Sequence, residues 1–149
     1  MKHLSVVLSA AFLIVTRVSA GPIDDLKPGQ WLRVAGSALQ SVAPTGTSAN
    51  VMAPWSGGAF DTKRDQLIVW GGGHGDYSGN ELYTFSLGSL KWTRVTSPSQ
   101  PPAKDVPYAA DGGPCSRHTY NYVQYMPAID RFVSFGGADA VFAPGRINH

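Results

Sequence analysis

The chain has 149 residues, with 12 Lys+Arg against 10 Asp+Glu, 17 glycines, 11 prolines and a single cysteine. Near-neutral charge with no basic run excludes the electrostatic footprint of a nucleic-acid binder, and Cys115 alone can build neither an internal disulfide nor a cysteine-based zinc site. Abundant Gly and Pro, without helical periodicity beyond Ala20, point to an all-β chain rich in turns.

Residues 1–20 have the layout of a secretory signal. Lys2 gives a positive start, residues 4–15 form an apolar run too short to cross a bilayer, and Val18-Ser19-Ala20 supplies small residues before a cleavage point at Gly21. Lys2 and Arg17 leave with it, so 12 − 2 = 10 basic residues remain against 10 acidic ones. The expected location is periplasmic or extracellular, with no membrane contact after cleavage. In an exported chain Cys115 is either buried and inert or paired with something outside the chain.

Residues 21–29 have the composition of a linker. Residues 31–34 read as a short strand, and residues 35–54, rich in Ser, Ala, Thr and Pro, as a long loop. A four-stranded meander is then predicted. Its strands are residues 55–60, Gln66–Trp70, 81–85 and 91–95, and short turns at 61–65 and 87–90 alternate with a Gly-rich loop at 71–80. A loop with five prolines covers residues 96–115. Residues 116–125 and 131–135 begin a second unit, joined by a turn at 126–130 whose Asp130 is a turn former, as is Asp65.

The chain repeats itself. Asp65-Gln66-Leu67-Ile68-Val69-Trp70-Gly71-Gly72 returns as Asp130-Arg131-Phe132-Val133-Ser134-Phe135-Gly136-Gly137, and Gln30-Trp31-Leu32-Arg33-Val34 is echoed by Lys91-Trp92-Thr93-Arg94-Val95. β-rich units recurring at a long period are the signature of propeller blades. Trp70, Phe85, Trp92 and Phe135 are expected to fill the gaps between blades. One complete blade and parts of two others fit in the chain after the signal. The reading is therefore an incomplete propeller over residues 21–149, the N-terminal piece of a longer protein whose remaining blades would be its partners. The early strand at Trp31 would close the ring in a whole protein, so Trp31 should be more exposed here than Trp92.

An apolar strand, Gly71-Gly72, then Phe85, six residues and Trp92 resembles the kelch motif, with Gly136-Gly137 opening the next copy. Asn80-Glu81 resembles the polar pair before a kelch third strand, and Arg117-His118 the entry of a first strand. The 61–65-residue spacing exceeds the usual kelch period, and Phe85 stands where Tyr is commoner. The resemblance covers roughly residues 30–145. It implies a kelch-type β-propeller of the superfamily that includes the central domain of galactose oxidase, a copper enzyme. Cys115, His118 and Tyr120 match residue types of that copper site, but no flanking motif maps them onto it, so no catalytic residue, metal ligand or cofactor is assigned. Copper enters only if the chain is the front of a carbohydrate or alcohol oxidase.

Meander geometry separates the loops. The short turns emerge on one side, and the loops at 35–54, 71–80 and 96–115 on the other. Long loops on a rigid scaffold usually carry function. The candidate ligand contacts are therefore His74, Asp76 and Tyr77, with Arg117 and His118 near the axis. His74 and Asp76 could instead brace their own loop, hydrogen-bond a sugar stacked on Tyr77, or touch a cation. Arg117 and His118 could equally bridge two blades. The Gly71–Gly75 run lacks the Gly-Lys-Ser/Thr of a phosphate loop, and no Gly-x-Ser-x-Gly elbow occurs. The expected function is a secreted carbohydrate- or protein-binding module, with the oxidase and a purely structural extracellular repeat as the alternatives.

Overall fold

The structure, a computed structural model, describes residues 21–44, 51–52, 56–70, 79–100, 108–135 and 138–139. The predicted signal helix and both glycine doublets, Gly71-Gly72 and Gly136-Gly137, lie outside the described residues. The chain divides into two units, residues 1–32 and 33–149.

In the first unit, Asp24 N donates to Gly21 O at 2.9 Å and Gln30 N to Lys27 O at 3.0 Å, giving two successive turns. Residues 31–34 form no strand, contrary to expectation. A lone apolar run gains nothing from an extended backbone unless a partner strand accepts its hydrogen bonds. Trp31 is 97% exposed, whereas Trp92 is half-buried.

The second unit holds the meander. Strands β1 (Gly57–Asp61), β2 (Gln66–Trp70), β3 (Tyr83–Ser86) and β4 (Lys91–Arg94) pair antiparallel in the order β1-β2-β3-β4. The run Ile68-Val69-Trp70 is buried without alternation, so both faces of β2 are covered. Two short strands follow, β5 (Arg117–His118) and β6 (Val123–Met126), then β7 (Arg131–Ser134) and β8 (Ala138–Asp139), with β6 paired to β7 and β5 to β8. The single strand expected at 116–125 is thus broken. Tyr122 N donates to Thr119 O at 2.7 Å, closing a tight turn in which Tyr120 takes φ 45°. The cause is tertiary: Thr119 Oγ1 accepts from Gly57 N at 2.6 Å and donates to Trp70 O at 2.9 Å, which pulls the chain out of the extended form.

The sequence echo is also a structural one. The β1–β2 hairpin closes on the pair Asp61↔Gln66 and the β6–β7 hairpin on Met126↔Arg131, the same offset that separates Asp65 from Asp130. Each loop ends in a left-handed Asp, Asp65 at φ 48° and Asp130 at φ 53°, a conformation Asp tolerates better than most side chains. The β3–β4 turn has the same length but puts Leu90 at φ 54°.

Three layers result. One face of the β1–β4 sheet carries Tyr83, Phe85 and Trp92. Phe85 and Trp92 are cross-strand partners with ring centroids 5.2 Å apart, a pairing worth about 0.5–1 kcal/mol beyond area burial. The described residues of the stretch predicted as a long loop at 35–54 cover this face in part. They contain a 3-10 turn at Leu39–Ser41, and Leu39 and Val51 bury against Tyr83 beside Val42, Ala43 and Trp92. Trp92 Nε1 donates to Ser37 O at 2.8 Å. The contact is non-local, so the segment shows no period of its own. The opposite face, with Gly57, Asp61, Gln66, Ile68 and Trp70, packs against the β6–β7 hairpin. The four aromatics expected between blades therefore divide: Trp70 lies between the sheets, Phe85 and Trp92 share the opposite face, where Trp92 packs against the Leu39–Val51–Tyr83 cluster, and Phe135 is 57% exposed.

The two hairpins are joined at both ends. At one end a Cβ on Gly57 would overlap the Tyr120 carbonyl oxygen and come within 2.9 Å of Val123 Cγ2. At the other, the Arg64 guanidinium donates to both Asp130 oxygens at 2.8 and 2.9 Å and to Asp61 Oδ2 at 2.9 Å. Tyr125 Oη donates to Asp130 Oδ1 at 2.7 Å. Buried Asp61 also accepts from Lys63 N, Arg64 N and Gln66 Nε2. Arg64, then Tyr125, hold the Asp130 carboxyl well below its ordinary value. Burial pushes Asp61 the other way, but its bonds from Arg64, Gln66 and the Lys63 amide outweigh this and leave it lowered. Burial, followed by the two aspartates, pushes Tyr125 up to about 12.

Replacing Gly57 by Ala should cost at least about 2 kcal/mol in chemical denaturation, because backbone must move to admit the methyl. Gly88→Ala, whose added Cβ would meet only Ser86 Oγ at 3.8 Å, should be close to neutral. Thr119→Val should cost about 2–4 kcal/mol by stripping two buried backbone groups of their partner; an unchanged midpoint would contradict the clasp. Both aspartates bind protons more weakly folded than unfolded, so their contribution is complete above the ordinary carboxylate value of 3.8 and drains away as pH falls through it. Stability measured from pH 6 down to pH 2 should therefore decline less steeply in Asp130→Asn than in the wild type.

Candidate binding site

A cavity of about 420 Å3 opens between the two sheets, within the size range of small-molecule sites. Its walls come from one end of the fold. Trp70 closes β2, Asn80 and Leu82 precede β3, Thr96, Ser97 and Ser99 follow β4, Asp111, Gly113 and Pro114 precede β5, and Phe132 and Ser134 lie on β7. All but Phe132 sit where the β2–β3 and β4–β5 connections leave the sheet, or at the matching end of β7.

Asn80 organises this end. Its Nδ2 donates to Ser99 Oγ and to Pro114 O, each at 2.9 Å, while its Oδ1 accepts from Ser99 N at 2.8 Å. Its own carbonyl accepts from Trp70 Nε1 at 3.0 Å, which fixes the indole as a cavity wall. Ser99 Oγ in turn donates to Asp111 Oδ2 at 2.8 Å, and Asp111 Oδ1 accepts from Gly113 N at 3.0 Å. The Gly113 amide and Ser99 lower the Asp111 carboxyl, so it is ionised at neutral pH. The cavity lining thus combines an indole from β2, a phenyl ring from β7 and Leu82 with hydroxyls, an amide and one anionic acceptor.

Glu81, read from sequence as a strand-start residue, is buried next to Tyr83. Burial raises both groups, and each adds to or moderates the other's shift. Tyr83 packs against Leu39 and Val51, and neither Glu81 nor Tyr83 lines the cavity.

His74, Asp76 and Tyr77 lie outside the described residues. Arg117 and His118 are half-buried on β5 and absent from the cavity walls. As consecutive strand residues they project to opposite faces. Arg117 Nε reaches Cys115 O at 3.4 Å, and the His118 ring stands edge-on to Tyr120 at 6.1 Å. Cys115 is buried. Among the described residues no three His, Cys, Asp or Glu side chains gather as metal ligands. The residues that sequence reasoning passed over are Asn80, Ser99 and Asp111. The available signal was positional, since Asn80 and the Asp111-Gly112-Gly113-Pro114 turn both fall on the long-loop side.

Asn80→Ala should release residues 97–99 and 111–114 together. The expected readout is faster hydrogen exchange at the Ser99 amide and a stability loss of about 1–3 kcal/mol, with little change at the Arg64 end; exchange unchanged at Ser99 would show that Asn80 does not hold the wall.

No family model, curated protein or solved structure matches the chain.

Proposed function

We propose that this chain is a kelch-type propeller segment of an exported protein, and that it binds a carbohydrate in the cavity between its first two blades. The observation that carries the reading is the composition of the cavity wall: an indole, a phenyl ring, hydroxyls, an amide and an ionised carboxylate line a space of about 420 Å3. A sugar ring presents the same mixture, with a C–H face suited to an aromatic ring and an edge of hydroxyl donors suited to Asp111, Ser97 and Ser99. The blade reading draws support from two hairpins of equal loop length that stack face to back.

The test is a glycan array followed by titration calorimetry on the whole chain. Ser97→Trp, which places a large side chain at the exposed mouth of the cavity, should weaken the best glycan by more than tenfold while leaving the melting temperature unchanged. Asp111→Asn should weaken it less. Equal binding by Ser97→Trp and wild type would overturn the cavity as the binding site, and absence of any glycan signal would overturn the ligand class.

A further inference from the structure

The hydrogen bonds of the cavity wall leave it rich in acceptors and poor in donors. Both Asn80 Nδ2 protons are engaged, by Ser99 Oγ and Pro114 O, and the Trp70 indole N–H is engaged by Asn80 O. The Ser99 hydroxyl and the Gly113 amide donate to Asp111 Oδ2 and Oδ1, and the Ser99 amide donates to Asn80 Oδ1. Thr96 Oγ1 accepts from Leu82 N at 2.9 Å. What the wall can still donate comes from hydroxyls, those of Thr96 and Ser97 among them, and a hydroxyl accepts as readily as it donates. Each Asp111 oxygen, by contrast, has accepted one bond and has a second lone pair to offer. Among the described residues that line the cavity, Asp111 alone carries a charge. No described Lys, Arg or His forms an ion pair with it, and it is exposed, so a ligand can reach it from solvent.

Such a wall discriminates among sugars by charge. A neutral hexose offers hydroxyls that both donate and accept, and satisfies it in part. A uronate or sulfated sugar brings more acceptors and a like charge, which is repelled. A sugar with a free amine brings three N–H donors and the opposite charge, and an ammonium is also attracted to the face of an indole. We infer that the cavity selects a glycan carrying a free amine, its ammonium donating to the Asp111 carboxylate while the aromatic wall takes the C–H face of the ring. The inference rests on the carbohydrate reading of this cavity and adds the charge class of the sugar. Because Asp111 is exposed, solvent screens the pair, and the expected gain is about fivefold in affinity.

The experiment is titration calorimetry of the full chain with three β-1,4-linked tetrasaccharides, at low salt and at a pH where the amine is protonated. The three are the glucosamine tetramer, cellotetraose, which has a hydroxyl in place of each amine, and the glucuronate tetramer. The glucosamine tetramer should bind about fivefold more tightly than cellotetraose, and the glucuronate tetramer more weakly than either. Asp111→Asn keeps an oxygen for the Gly113 amide, and Ser99 Oγ can accept from the new amide, so the wall is retained. In that variant the preference should fall to about twofold or less, with cellotetraose binding little changed. High salt should produce the same levelling in the wild type, a readout that does not depend on any variant folding. Cellotetraose bound as tightly as the glucosamine tetramer, and lost in Ser97→Trp, would overturn the inference and leave the carbohydrate site standing. A preference that survives Asp111→Asn or high salt would do the same. Failure of all three sugars to bind would overturn the ligand class, and the inference with it.

Discussion

The absence of a side chain at Gly57 is the constraint on which the arrangement of the second unit depends. Without a Cβ there, the Thr119–Val123 turn can seat directly on β1, and the Thr119 hydroxyl can bridge the Gly57 amide and the Trp70 carbonyl. That seating fixes the separation of the two hairpins at one end. The Arg64 fork onto Asp130 fixes it at the other. The cavity is what remains between two surfaces held apart at defined distances, and Trp70 and Phe132 can be its opposite walls only because both clasps hold.

The two clasps differ in kind. The Thr119 clasp is buried and neutral, so it is insensitive to salt and pH and expensive to remove. The Arg64 clasp is about half exposed, with side-chain accessibilities of 53% for Arg64 and 31% for Asp130, so its Coulombic part is screened and modest. Asp61 links it to the interior. Its buried carboxylate is satisfied by the turn amides and Gln66 as well as by Arg64, so the first hairpin keeps its turn when the second moves away. Acid should therefore loosen one end of the interface before the other.

Much of the strand pattern was legible because it is local. Gln66–Trp70 announces itself by β-branched and aromatic residues, and Asp65 and Asp130 mark their turns because Asp accepts a left-handed backbone. The break between β5 and β6 was not legible. Nothing in Ser116–Tyr125 tells a strand from two strands and a turn; the decision belongs to Gly57 and Trp70, far upstream of the Thr119 hydroxyl they share. The packing of Leu39 and Val51 on Tyr83 was hidden for the same reason. For the site, connectivity alone chose the long-loop side, and the cavity opens there. Asn80 escaped because an Asn before a strand reads as a turn residue, and its three side-chain bonds run to Ser99 and Pro114.

Leu90 has a consequence for how this scaffold can be altered. At φ 54° it occupies a conformation that costs a branched apolar residue about 1 kcal/mol, while its counterparts in the other two hairpins are aspartates. It sits in the β3–β4 turn, at the opposite end of the sheet from Asn80 and the cavity. The fold thus keeps unrelieved backbone tension at a point remote from the cavity. Stability can then be raised at this turn, by directed evolution or by drift, without disturbing the side chains that line the cavity.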